Sequence, residues 1–188
     1  MARITRRQLT NLLGASGVVV TLAGLAFGLP ALDRSLPSQR PVPADQPYPI
    51  GAGVTVVPPA GSTVDLTGTR PGSQTGSALF RLGPVQYEID VRPFDGDLRT
   101  AADRLRKRIT STPGYQVTGA QLAVTTADGL PGVQGSYTAP GRGGRYAVYV
   151  VDGLTIEVTI GGADLDLGRD LPQIEESART LRHDGNPT

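Results

Sequence analysis

From Leu12 to Leu32 the chain reads LLGASGVVVTLAGLAFGLPAL, without a single charged residue. As a helix rising about 1.5 Å per residue it would be roughly 30 Å long, the thickness of a bilayer core. Stretches this long and uncharged are rare inside soluble domains, so a segment that meets a membrane is the reading the physics favours. Arg3, Arg6 and Arg7 precede it, while Asp33 and Arg34 nearly cancel after it. The positive-inside bias then keeps residues 1–11 in the cytoplasm and places everything after residue 32 outside. Two fates compete for residues 12–32: a retained transmembrane helix, or a signal segment removed by cleavage. Ala31, with Leu29 two positions earlier, is a poor cleavage site, which favours retention. Thr5-Arg6-Arg7-Gln8-Leu9 resembles the start of a twin-arginine export signal, although two arginines before a span also serve as ordinary topological charges.

Residues 33–50 hold Pro37, Pro41, Pro43, Pro47 and Pro49 with no helical or alternating apolar pattern, which predicts a semi-extended linker. Residues 51–182 are expected to form one globular domain and residues 183–188 a hydrophilic tail. Once the three N-terminal arginines are set aside, acidic residues outnumber basic ones. A nucleic-acid binder needs the opposite balance on its folded part, so that class is excluded. With no cysteine there is neither a disulfide framework nor a thiolate metal site.

Within the domain the dominant signal is alternation. Val85, Tyr87, Ile89 and Val91 alternate with Gln86, Glu88, Asp90 and Arg92, and Leu154, Ile156, Val158 and Ile160 alternate with Thr155, Glu157 and Thr159. Such runs predict strands with one buried and one wet face, paired antiparallel. Further strands are expected at 53–57, 79–82, 116–125, 132–138 and 145–151, with Ser62 to Gly76 and Gly141 to Gly144 as loops. Asp152-Gly153 is the strongest hairpin turn. Asp97 should cap a helix reaching Ser111, with Leu98, Ala101, Ala102, Leu105 and Ile109 on one face and Pro113-Gly114 after it. A second helix is expected to begin at Asp170 or Leu171, with Pro172 in its first turn and Leu171, Ile174, Ala178 and Leu181 facing inward. The fold class is α+β: an antiparallel sheet packed with two helices, preceded by the N-terminal segment.

The helix of Asp97 to Ser111 after a first hairpin, the strand Gly132 to Tyr137, the hairpin Tyr146-Ala-Val-Tyr-Val-Val-Asp-Gly153 and the closing helix Ile174-Glu-Glu-Ser-Ala-Arg179 together resemble the PsbP-like α/β/α sandwich. Within that group they are similar to small actinobacterial envelope proteins of the LpqN and LpqT type, over Gly51 to Arg182. The resemblance implies an accessory or interaction domain of the envelope, and it brings no catalytic residues. This chain departs from those lipoproteins in lacking a cysteine for lipid attachment, so a protein anchor must replace the lipid.

No catalytic, metal or cofactor site is assigned from the sequence. His183 is the sole histidine and falls in the hydrophilic tail, where neither a nucleophile triad nor a histidine metal site has company for it. Arg142 and Arg145 in Gly141-Arg-Gly-Gly-Arg145 read as solvated residues of a turn, with an anion site as the rival reading. Asp164, Asp166, Asp170 and Glu175 fall at positions 1, 3, 7 and 12 of a calcium-loop frame, but Gly168 replaces the fifth-position ligand and Arg169 stands where the turn needs glycine. A loop leading into the last helix is expected instead. Arg99, Arg104, Arg106, Lys107 and Arg108 fan over the outer side of the first helix and are expected to be solvated. The expected function is therefore a non-enzymatic, membrane-tethered interaction domain acting on an envelope or membrane protein. The rival readings are a small-molecule or lipid carrier with a pocket between sheet and helices, and a hydrolase built on scattered carboxylates.

Overall fold

The computed structural model describes residues 38–185, so the predicted cytoplasmic region and membrane segment, 1–32, lie outside the described residues. Among the described residues no helix is long and apolar enough to cross a membrane. The described strands are β1 (Gln39–Pro41), β2 (Tyr48–Gly51), β3 (Val54–Val56), β4 (Thr63–Asp65), β5 (Gly76–Leu82), β6 (Val85–Pro93), β7 (Gln116–Thr125), β8 (Pro131–Ala139), β9 (Arg142–Val151), β10 (Leu154–Gly162) and β11 (Arg182–His183); the helices are α1 (Leu98–Thr110) and α2 (Asp164–Arg179).

Eight strands form one antiparallel sheet in the order β1-β4-β5-β6-β10-β9-β8-β7, and β11-β3-β2 make a small second sheet. The alternation read from the sequence sets the register at its centre: Ile156, Val158 and Ile160 of β10 stand opposite Val91, Ile89 and Tyr87 of β6. These side chains form the larger core with Ile50, Val54 and Ile174, beneath α2 and the small sheet. The other face has a smaller core, in which Ala101 and Leu105 of α1 meet Tyr137, Tyr146 and Val148. The result is a sandwich with the long sheet in the middle and one helix on each side.

α1 begins where its cap predicts: the Asp97 carboxylate accepts the Thr100 backbone N–H at 2.7 Å. α2 is held to the small sheet at the end of β3. The Thr180 hydroxyl accepts the Val57 N–H at 2.8 Å, and the Ser177 hydroxyl donates to the Val57 carbonyl at 2.5 Å.

Several expectations are corrected. The stretch read as linker includes β1 and β2, because Tyr48 and Ile50 find apolar cover on the main sheet that a proline count does not reveal. β2 crosses the start of β5 so closely that a Cβ on Gly76 would lie 2.0 Å from the Ile50 carbonyl oxygen, which only glycine permits. The expected loop 62–76 contains β4, and the turn around Gly141 is shorter than read, since β9 already begins at Arg142. α2 starts at Asp164, not at Asp170 or Leu171, and Pro172 lies inside it. Proline costs a helix the bond to the carbonyl four residues back and crowds it. Here that carbonyl belongs to Gly168, and Asp164 and Asp166 in the first turn favour the N-terminal dipole and offset part of that cost. His183, read as tail, lies in β11 paired with β3, with its side chain 5% exposed.

Asp65 on β4 ties that short strand to β5. Its carboxylate accepts the Thr67 hydroxyl at 2.6 Å and pairs with Arg81 of β5 at 2.9 Å. The Thr67 hydroxyl foremost, then Arg81 and the backbone N–H groups of Thr67 and Gly68, draw its pKa down to about 2 against the opposing effect of burial. A group whose folded pKa lies below its unfolded value of 3.8 stabilises fully above that value and loses its contribution as pH falls through about 2. Urea midpoints should therefore drop more between pH 5 and pH 2 in the native chain than in Asp65→Asn, and equal drops would remove this role from Asp65.

Candidate functional site

The sheet is wider than its covers, and the two helices are offset. On one face α1 lies over β7, β8 and β9, leaving β5, β6 and β10 open. On the other, α2 lies over β6, β9 and β10 while the small sheet covers β5 and β6, leaving β7 and β8 open. Each open region abuts a helix, and cavities form at these steps and at one end of the sheet.

On the α2 side a cleft of about 200 Å³ has a floor of Ala147, Val158 and Ile160, with Arg145, Glu175 and Arg179 at its rim. The strand connection after β7 closes one end, as the Ala127 N–H donates to the Arg179 carbonyl at 2.8 Å and satisfies a group the helix end leaves open. Arg145 is hydrogen-bonded to Ser136 and lies 3.7 Å from Glu175. Loss of water contact raises the pKa of the Tyr149 hydroxyl, and Arg179 opposes that rise. Beyond the cleft the open strands expose Leu122, 58% accessible. β7 is an edge strand without a charged residue, interrupted by a bulge between Thr118 and Leu122.

The open part of the α1 side is polar. Asp90 stands directly opposite Glu157, an unfavourable pairing of like charges that two arginines offset. Arg92 lies 3.3 Å from Asp90, and Arg108 of α1 is ion-paired with Glu157. Of the five basic residues expected to be solvated on α1, two thus turn to the sheet: Arg108 to Glu157, and Arg104 to the Phe94 ring at 4.9 Å.

A trough of about 250 Å³ runs beside α1 between Glu88 and Arg142. Its floor is Tyr137, whose hydroxyl donates to the Ile160 carbonyl at 2.9 Å and on which Tyr115 stacks, centroids 5.7 Å apart and planes 28° apart. Tyr137 can lie there because Gly144 and Gly161 have no side chains: a Cβ on either would come within 2.1 and 2.6 Å of its ring or hydroxyl. Burial above all pushes the Tyr137 hydroxyl up to about 12, with Arg142 lowering and Glu88 raising it, so both charges act on the same hydroxyl. Loss of water contact, followed by the Asp90 carboxylate, raises the pKa of Glu88, and Arg92 and Arg108 oppose that rise.

At the end of the sheet a cavity of about 410 Å³ is lined by Ala52, Ser73, Pro93, Asp152, Leu154 and His183. His183 Nδ1 is 3.3 Å from the Asp152 carboxylate, in a turn where Asp152 has a φ of 47°. Among the described residues no hydroxyl is hydrogen-bonded to this imidazole.

The predicted site residues are thus redistributed. Arg142 and Arg145 belong to different cavities on opposite faces, because three steps along a strand change sides. Asp164, Asp166, Asp170 and Glu175 lie along one continuous helix and cannot wrap a cation as a loop would; Arg169 pairs with both Asp170, at 2.9 Å, and Asp166, at 3.3 Å. Among the described residues no group of three or more His, Cys, Asp or Glu side chains is placed to hold a metal. Sequence reading missed Glu88, Tyr115 and Tyr137 as neighbours. The available signal was glycine inside the strand runs at 144 and 161, which marks close approach of another group.

Layering, strand order and the two offset helices define the chain as having the PsbP-like fold. Among solved structures it is similar to cyanobacterial PsbP (CyanoP) from Synechocystis sp. PCC 6803, with a TM-score of 0.51 and 14% identity, over 79% of this chain and 94% of that one. It is also similar to the protein PA94 of Pseudomonas aeruginosa (TM-score 0.48, 15% identity, 72% of this chain and 99% of that one) and to LpqN, involved in cell envelope biogenesis of Mycobacterium tuberculosis (0.41, 15%, 76% and 88%). No family model and no curated protein sequence matches the chain.

Replacing Gly144 by alanine should unseat Tyr137 and cost about 1–3 kcal/mol of stability, as overpacking does. Near-ultraviolet dichroism of the tyrosines should weaken in step with the fall in urea midpoint; an unchanged spectrum would show that Tyr137 is not seated on Gly144.

Proposed function

We propose that this chain is an accessory binding domain of the cell envelope, not an enzyme, held by residues 12–32 at the outer side of the cytoplasmic membrane, where it engages a membrane or envelope protein. The observation that supports binding most directly is the open half of the α2 side, where Leu122 and the uncharged edge strand β7 stand uncovered beside the cleft. A row of unpaired backbone groups on an uncharged strand is a template for another chain, and folds that avoid this place charges or proline there. The address rests on the uncharged run behind Arg3, Arg6 and Arg7 and on the resemblance to envelope proteins. A photo-crosslinking residue at position 122 should give a discrete adduct in intact cells, in full-length protein that stays with membranes through an alkaline carbonate wash, whereas the same residue at position 99 should not. Equal labelling at both positions would remove β7 as the interface, and a shortened product in the wash would replace the anchor with a released protein.

A second reading, a carrier, is favoured by the cleft between α2 and the sheet, with its apolar floor and arginine rim. Its roughly 200 Å³ falls short of the ~300–1,000 Å³ common for drug-sized ligands, so it suits a compact anion with a short apolar body and not a whole lipid. Native mass spectrometry of freshly extracted protein should then show a bound small acid that is lost in Arg145→Gln. Bare protein in every preparation would eliminate the carrier.

A further inference from the structure

We infer that the trough on the α1 side between Glu88 and Arg142 is a binding site for a small zwitterion, the size of an amino acid or a dipeptide, with its ammonium group at Glu88 and its acidic group at Arg142. The site lies on the face opposite the α2 cleft and does not depend on where the domain is held.

Both charges line the same cavity, and among the described residues neither makes an ion pair with a side chain. Their neighbours differ in this respect: Asp90, Arg92, Arg108 and Glu157 are all paired. Arg142 extends across Gly161, its Nη2 lying 3.6 Å from where a Cβ on that glycine would be. Glu88 stands opposite Thr159, two residues from Gly161 along β10. Two steps along a strand are about 7 Å and one strand spacing is about 4.8 Å, so the backbone of Glu88 and the glycine that the Arg142 guanidinium crosses are roughly 8 Å apart. With a hydrogen bond of about 3 Å at each end, a ligand whose own charges are separated by a few ångströms bridges that gap.

A simple cation would meet Arg142 in the same small volume, and a simple anion would meet Glu88. Only a ligand carrying both signs neutralises both groups. The cavity of about 250 Å³ is too small for a long chain, and the stacked pair of Tyr115 and Tyr137 gives it a flat wall against which a short backbone can lie. The Thr159 hydroxyl and the Gln86 amide on the same face offer further hydrogen-bond partners. The ligand chemistry is an ammonium with either a carboxylate, as in a peptide, or a phosphodiester, as in an aminophospholipid headgroup.

The test uses the full chain in detergent micelles, labelled with nitrogen-15, and follows the amides of Glu88, Thr159 and Gly161 on titration with L-alanyl-L-alanine and, separately, with glycerophosphoethanolamine. Saturable shifts at these amides with either probe are expected, and the tighter probe identifies the acidic group. For whichever probe binds, N-acetylation should weaken binding at least tenfold, and for the dipeptide C-terminal amidation should do the same. Glu88→Gln should abolish the preference for a free amine and Arg142→Gln the preference for a free acid. Blocked and free probes binding alike, or no saturable shift with either probe, would overturn the proposal. The comparison of free and blocked probes on the native chain decides the matter even if a variant fails to fold.

Discussion

An eight-stranded antiparallel sheet is roughly 34 Å across at the usual strand spacing, and a helix with its side chains is little more than 10 Å wide. One helix on each side cannot cover such a sheet, and most features of this molecule follow from that mismatch. The small sheet extends the cover on one side only. Where cover is missing on the α1 side, the alternating strands present Glu88, Asp90, Arg92 and Glu157, residues that keep their water or find partners. Where it is missing on the α2 side, the strands present Gln134, Ser136 and Leu122, and the helix edge makes a step that becomes a cleft.

The charged side of the sheet shows how like charges are accommodated. Asp90 and Glu157 face one another across a strand pair, and the strain is relieved by Arg92 on the same strand and by Arg108 reaching down from α1. The latter contact also fixes the azimuth of the helix, since Leu105 and Ala101 must point to the sheet when Arg108 reaches Glu157. Glu88, one turn of the pleat away, has no such partner. Burial and repulsion therefore outweigh the more distant pull of Arg92 and Arg108, and it is the carboxylate of this face whose pKa moves upward.

Period-two alternation made β6 and β10 legible residue by residue, and a side-chain cap with apolar spacing made α1 legible almost to its ends. What failed to show is equally specific. β1, β2 and β11 are two to four residues long, too short for a period, and proline or charge in the surrounding sequence masked them. The start of α2 was hidden by Pro172, whose usual place is a first turn and which here lies in the interior of the helix. The trough was invisible for another reason: its parts come from β6, β8, β9, β10 and the segment after α1, and only the register brings Glu88, Tyr115, Tyr137 and Arg142 to one place. Strand assignment alone put Glu88 on a wet face, which is correct and says nothing of what shares that face.

The bond between Val57 and Thr180 joins residues 123 positions apart, and β11 closes on β3 over a similar span. Loop closure on that scale is slow relative to hairpin pairing. β5 with β6, and β8 through β10, can zip as local hairpins as soon as they emerge, but the small sheet gains its third strand and its seat on Ser177 and Thr180 only when the last turns of α2 arrive. A chain emerging in order from a ribosome thus holds Ile50, Val54 and Val56 without their final cover until residues 177–183 have passed. The order of synthesis leaves the first apolar strands of the domain waiting longest, a period in which a chaperone has something to hold.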